Sequence, residues 1–149
     1  MSKMIFGCSH GQDDVERATL PFIAANVAAV AGQEAYVLLT VEGAWLATKG
    51  YADDMHFPGM PALRGLMDEF IDNGGTIWAC GACTKPRDIT EDHLITGASI
   101  IGAAKVVEEI AAGAPSWSCG AGCGATATAR RTWSPDKHRG ADGGPVRAS

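Results

Sequence analysis

The sequence predicts an α/β protein: a three-layer α/β/α sandwich around a mainly parallel sheet of five strands. Three observations carry that prediction. Short apolar runs alternate with stretches of helical periodicity, the pattern expected of parallel strands joined by right-handed crossovers. The second run, Ala35-Tyr36-Val37-Leu38-Leu39-Thr40-Val41, has no polar alternation, as expected of a strand covered on both faces. Glycines close the helical stretches at Gly32, Gly50, Gly74, Gly75, Gly97 and Gly113.

In chain order, Met4-Ile5-Phe6-Gly7-Cys8 reads as a buried strand ended by Ser9-His10-Gly11. Asp13-x-x-Glu16 then reads as a capping box opening a helix, with Asp13 as the cap. Leu20, Ile23, Val27 and Val30 recur at spacings of three and four and predict its buried face. Pro21 inside this helix removes an N–H bond to the carbonyl of Arg17 and predicts a kink. After the second strand, residues 43–49 read as a short helix, and residues 51–58 as a loop holding Asp53, Asp54 and His56. Pro61 suits the first turn of the next helix, whose buried face is Leu63, Leu66, Met67, Phe70 and Ile71. Thr76 to Cys80 is the third strand, and Asp88-x-x-Glu91 predicts a helix running to Gly97. Residues 98–102 form a fourth strand. Residues 103–112 form a helix with Val106, Val107 and Ile110 inward, and residues 114–118 an edge strand, where a proline is tolerated.

The 149 residues fit one domain, and an apolar content of 46% with 19% charged residues fits a globular chain. Residues 1–119 are expected to form the domain. Residues 120–149 are rich in Gly, Ala and Arg and read as an irregular or disordered tail. The net charge of −5 argues against a nucleic-acid surface. It is uneven: the last thirty residues carry +3, leaving −8 on the body. A basic tail of this kind is most simply a solvated one. No apolar run approaches the roughly 18 residues of a membrane span. The first apolar stretch meets His10, Asp13 and Asp14 too soon for a secretory signal, so a cytoplasmic location, with no membrane partner, is expected.

Five cysteines, Cys8, Cys80, Cys83, Cys119 and Cys123, make an odd count that argues for free thiols, metal or redox chemistry over a disulfide framework. In open α/β sheets ligands bind beyond the C-terminal ends of the strands. Three such ends carry reactive or polar residues: Cys8-Ser9-His10, Thr40-Val41-Glu42 and Cys80-Gly81-Ala82-Cys83. The last is the strongest signal. A thiolate is the nucleophilic form of cysteine, and a helix N-terminus or a nearby cation favours it. A strand-to-helix loop followed by Lys85 and Arg87 offers both. His10 would orient a thiol or an anion, and Glu42 would face the same cleft.

Several segments in order resemble one family. They are Ser9-His10-Gly11 with residues 13–18, residues 24–28, Gly32-Gln33-Glu34, residues 39–44, Lys49-Gly50-Tyr51-Ala52, Cys80-Gly81-Ala82-Cys83 and residues 97–104. Together they resemble the DsrE/DsrF-like proteins, which include sulfur-relay subunits of sulfur oxidation and tRNA thiolation. The resemblance implies an α/β/α sandwich, homo- or hetero-oligomers, and a cysteine carrying persulfide sulfur after the third strand and before an Arg-containing segment. Cys80, with Arg87 behind it, matches that position, and Cys83 matches a subset with a second cysteine. On that resemblance the chain is expected to be a cytoplasmic sulfur carrier or sulfurtransferase-like protein. Cys80 would accept sulfur, and Cys83 would resolve it or be the acceptor itself. His10, Glu42, Lys85 and Arg87 would support them. No cofactor or metal is expected, and the partners are sulfur donor and acceptor proteins and further copies of the chain.

Two other readings stay open on the residues alone. Trp78-Ala79-Cys80-Gly81-Ala82-Cys83-Thr84-Lys85 echoes a thioredoxin-like pattern with one extra alanine, which would make the pair a thiol–disulfide centre. Alternatively Cys80, Cys83, Cys119 and Cys123 would hold a structural zinc in a non-catalytic scaffold.

Overall fold

A computed structural model describes residues 2–119. Strand β1 is Lys3–Cys8, helix α1 Val15–Val30, strand β2 Glu34–Leu39, helix α2 Leu63–Asp72 and strand β3 Thr76–Cys80. Helix α3 is the single turn Gly81–Thr84; strand β4 is Ala98–Ile101, helix α4 Ala103–Ala111 and strand β5 Ser116–Ser118. Short 3-10 helices occupy Val41–Ala47, Lys85–Arg87 and Glu91–His93. The five strands are all parallel, in the order β4-β3-β2-β1-β5. The chain thus has the α/β fold its alternating pattern predicts.

The strand order explains where the helices lie. From β1 to β4 the chain steps one way across the sheet, and right-handed crossovers place α1 and α2 on one face. The connection from β4 back to β5 runs the other way, so α4 lies on the opposite face. Alternate strand residues divide accordingly. Phe6, Cys8, Val37, Leu39, Ile77 and Ala79 pack with Phe22, Leu63, Met67 and Phe70 in the main core. Ile5, Tyr36, Trp78 and Ala114 form a smaller cluster on the α4 face. There the Tyr36 and Trp78 rings stack, with centroids 4.1 Å apart.

Asn26, buried in α1, ties the two helices of the main core together. Its amide donates to the carbonyls of Phe22 (3.0 Å) and Leu66 (2.9 Å).

Several local expectations are corrected. The α1 cap is Asp14, whose carboxylate accepts from the Arg17 N–H at 3.0 Å, so Asp13 is free for the loop before it. The buried face of α1 is Ala18, Pro21, Phe22, Ala25 and Ala28, while Val27 and Val30 are exposed. Small residues on that face let α1 lie close to α2 and the sheet, and close packing outweighs the bulk of the valines. Helix α2 begins at Leu63, after Pro61. The segment from Asp88 to Gly97 is not a helix. Asp88 adopts φ 54°, in the left-handed region, which ends the preceding 3-10 turn. Thr90 and His93 then close a capping box around one further turn, and Leu94 pairs with Thr48 in an isolated antiparallel bridge. In α4 it is Glu109 that is buried, held by Lys3 (3.0 Å) and Lys105 (2.8 Å), while Val107 and Ile110 are exposed.

The predicted tail, the Cys119–Cys123 spacing and the basic charge cluster fall on residues 120–149 in whole or part, outside the described residues. No helix among the described residues is long and apolar enough to cross a membrane.

Candidate functional site

The order β3-β2-β1 sets three polar strand ends side by side on one edge of the sheet. Two glycines allow the close approach. A Cβ on Gly43 would lie 2.3 Å from the Cys8 carbonyl oxygen, so only glycine lets the 3-10 helix after β2 rest on the end of β1. A Cβ on Gly11 would lie 2.6 Å from the Tyr51 hydroxyl and 2.9 Å from the Glu42 carbonyl oxygen. Between these contacts the His10 loop, the Glu42 helix and the Tyr51 loop form one layer. His10 Nδ1 lies 2.9 Å from Asp13 Oδ2, and Asp13 also accepts from the Gly11 N–H at 2.7 Å. The Gln12 N–H donates to the Tyr51 hydroxyl at 2.8 Å, and the Tyr51 ring stacks on Trp45. Burial raises the Tyr51 hydroxyl above its ordinary range.

Cys80 ends β3 and caps α3, and is half-buried. Cys83, in the same turn, is also half-buried and packs toward the main core. Burial pushes the Cys83 thiol up, and the backbone N–H of Val41 pulls it back. A hydrogen bond with Cys80 raises it again, and the Arg87 guanidinium opposes that rise. Val41 has φ 52°, which is strained for a β-branched residue; this is how the first residue of the 3-10 helix turns its N–H to the cysteine loop.

Arg87 ties the site together. Its guanidinium donates to Glu42 Oε1 at 2.8 Å and to the Cys83 carbonyl at 3.0 Å. Glu42 and Arg87 thus meet each other and brace the loop of Cys83. Lys85 is exposed, and its ammonium makes no hydrogen bond or ion pair among the described residues. Helix α3 is only four residues long, and the Arg87 guanidinium is spent on Glu42 and the Cys83 carbonyl. His10 belongs to the β1 end, two strands from Cys80, and pairs with Asp13.

Cys80 shares its strand face with Trp78, so its side chain lies on the α4 side. There it borders a half-open cavity of about 200 Å³ with Leu38, Ile101, Gly102, Ala103, Val106 and Val107. Nothing in the residue pattern signals this cavity, because it exists only where α4 meets the ends of β2, β3 and β4. Tyr51 and Val41 were also missed as site residues; a tyrosine after Lys49-Gly50 in the resembling segments was the available hint for the first. A larger depression of about 750 Å³, lined among others by Lys49, Asp53, Arg64 and Asp68, holds none of these residues.

Cys8 points into the main core, where burial pushes its thiol up to about 12. The register Gly7↔Ser118 sets Cys119 beside it. Strands β3 and β5 are three spacings apart in the sheet, about 14 Å. Zinc–sulfur bonds are about 2.3 Å, so one chain does not bring Cys119 and the Cys80/Cys83 pair onto one zinc. That corrects the four-cysteine reading; Cys123 lies outside the described residues.

The DsrE/DsrF-like family matches this chain over residues 2–114. An uncharacterized protein of Methanocaldococcus jannaschii is 32% identical over 93 residues, covering 62% of this chain and 34% of that protein. One of Methanopyrus kandleri is 32% identical over 85 residues, covering 57% of this chain and 67% of that protein. The match thus spans about a third of the first relative and two thirds of the second. Among solved structures, the ychN protein from E. coli superposes with a TM-score of 0.66 at 14% identity, over 80% of this chain and 100% of that one. A protein of unknown function from Methanobacterium thermoautotrophicum gives 0.61 at 17% identity, with the same coverage. At those identities the likeness shows the fold.

Proposed function

The chain belongs to the DsrE/DsrF-like family, and from that premise we propose that it is a cytoplasmic sulfur carrier that passes persulfide sulfur through Cys80. The observation that carries the reading is the pair itself. Cys80 stands half-exposed at the end of β3, and Cys83 lies three residues on in the same turn, also half-exposed. The Cys80 thiolate attacks the outer sulfur of a donor persulfide, the donor S–S bond breaks, and the donor leaves as a thiolate. Cys80–S–SH then yields its outer sulfur to an acceptor thiolate. If Cys83 instead attacks the inner sulfur, hydrosulfide leaves and a Cys80–Cys83 disulfide forms. Arg87 and Glu42 hold the Cys83 loop in register with Cys80. Lys85 stands exposed just beyond the pair, available to a docking partner, while His10 is held by Asp13 at the end of β1. The partners of such a carrier are sulfur donor and acceptor proteins and further copies of the chain. Free thiols suit a reducing compartment.

The same pair of free thiols in one turn favours a second reading, a thiol–disulfide redox centre using Cys80 and Cys83. Mass spectrometry after incubation with a persulfide-charged cysteine desulfurase separates the two. A carrier gains about 32 Da, one sulfur, and loses that gain in Cys80→Ser. Equal gain in Cys80→Ser and Cys83→Ser overturns the carrier reading. A disulfide that forms and reduces at a defined midpoint potential, with no sulfur gained, supports the redox reading.

A further inference from the structure

We propose that the cavity beside Cys80 is a binding site for an uncharged organosulfur compound, a thiol or persulfide sulfur on a short alkyl arm. It rests on Cys80 as the reacting thiol for the transfer step and adds the class of molecule that step accepts.

The lining decides the chemistry. Leu38, Ile101, Val106 and Val107 present hydrocarbon, Gly102 and Ala103 leave room, and the Cys80 sulfur is the one side-chain heteroatom among the lining residues. At about 30 Å³ per water, 200 Å³ holds roughly six or seven water-sized groups, enough for a sulfur and a short carbon chain. Among the described residues no cation lines the cavity to meet an anion. Arg87 is engaged by Glu42 and the Cys83 carbonyl, and Lys105 by Glu108 and Glu109. A carboxylate or sulfonate entering here gives up water and gains no partner, whereas an alkyl arm gains by leaving water. The space is left because α4 anchors through Glu109, held by Lys3 and Lys105, which turns Val107 outward across the cavity mouth. Cys83 packs on the main-core side of the turn, so a compound in the cavity and Cys83 approach Cys80 from different sides.

In the transfer, Cys80–S⁻ attacks the outer sulfur of R–S–SH, the S–S bond breaks, R–S⁻ leaves, and Cys80–S–SH remains. No external oxidant is consumed.

The test uses the full chain and a series of uncharged alkyl methanethiosulfonates, methyl to pentyl, beside the anionic sulfonatoethyl reagent. Each converts Cys80–S⁻ to Cys80–S–S–R and releases methanesulfinate. Rates at Cys80 are read by peptide mass spectrometry, at high salt to screen the acidic body, and divided by the same reagent's rate with N-acetylcysteine. The normalised rate is expected to rise about threefold for each added methylene until the arm fills the cavity. The anionic reagent is expected to trail the propyl reagent by about tenfold or more. Ala103→Phe, on the exposed start of α4, is expected to end the rise at a shorter arm, and Val106→Asp to flatten it. A flat series in the unaltered chain, or an anionic reagent that keeps pace, overturns the proposal. Loading with matched alkyl and anionic persulfides separates it from the carrier reading. Equal loading by both sinks the cavity and leaves the carrier, while a rising length series with no sulfur gained sinks the carrier and leaves the cavity.

Discussion

On the side of α1 and α2 the sheet buries Phe22, Leu63, Met67 and Phe70 against Val37, Leu39 and Ile77, all without exposed surface. On the side of α4 it buries Ile5, Tyr36, Trp78 and Ala114, and leaves Val107 at 64% and Ile110 at 46% exposure. The difference follows from handedness and length. Three crossovers run one way, two of them carrying the long helices α1 and α2, and one runs back, so one face receives two long helices and the other receives α4 alone. One helix is about 10 Å across with its side chains, and five strands span about 19 Å between the outer two, so α4 alone leaves part of its face uncovered. The cysteines divide by the same rule. Cys8 faces the thick side and is sealed; Cys80 faces the thin side and is reachable. The fold makes one thiol inert and another available by strand parity alone.

The sharpest test of this contrast compares one truncation on each side. Phe70→Ala is expected to cost about 3–5 kcal/mol in urea denaturation, and Val107→Ala less than about 0.5 kcal/mol. Similar costs for the two would break the contrast.

Alkaline pH gives the next largest effect. The folded chain holds the Cys8 proton up to about 12, whereas the unfolded thiol releases it near its ordinary value. The unfolded state loses the proton first, so the contribution of Cys8 is present below the ordinary value and is lost as pH climbs toward the folded one. One differential proton costs about 1.4 kcal/mol per pH unit, so stability should fall by about 2 kcal/mol between about pH 9 and pH 10.5. Measured by denaturation across that range, Cys8→Ala should lose this part of the decline. An identical decline in both chains would show that Cys8 is not sealed.

The smallest effect refines the thin side. Arg87→Met removes the cation that opposes the rise of the Cys83 thiol. In a Cys80→Ser background it should slow iodoacetamide alkylation of Cys83 about two- to fivefold at pH 8 and move the rate profile to higher pH. An unchanged profile would show that Arg87 acts only through the Cys83 carbonyl and Glu42.

Much of this was legible in the residues. Continuous apolar runs with helical spacing between them give parallel strands whatever their order, and the position of Cys80 at the end of β3 follows from Thr76-Ile77-Trp78-Ala79-Cys80. Spacing misjudged α1 and α4, where the larger apolar residues were expected inside. Alanines won on α1 because close approach matters more than bulk, and Glu109 won on α4 because two lysines satisfy its charge. The segment after Asp88 carried a plausible helix start, but a left-handed residue and a bridge to Thr48 overrode it.

The sequence by itself determined the layer class, the strands and the pair of cysteines at a strand end, because hydrophobic period and turn residues act over a few neighbours. Only the tertiary structure decided that Arg87 meets Glu42, that Gly43 rests on the Cys8 carbonyl, and that an apolar cavity opens beside Cys80. Those facts depend on strand order and on which face each crossover takes, and both are settled by packing between residues far apart along the chain.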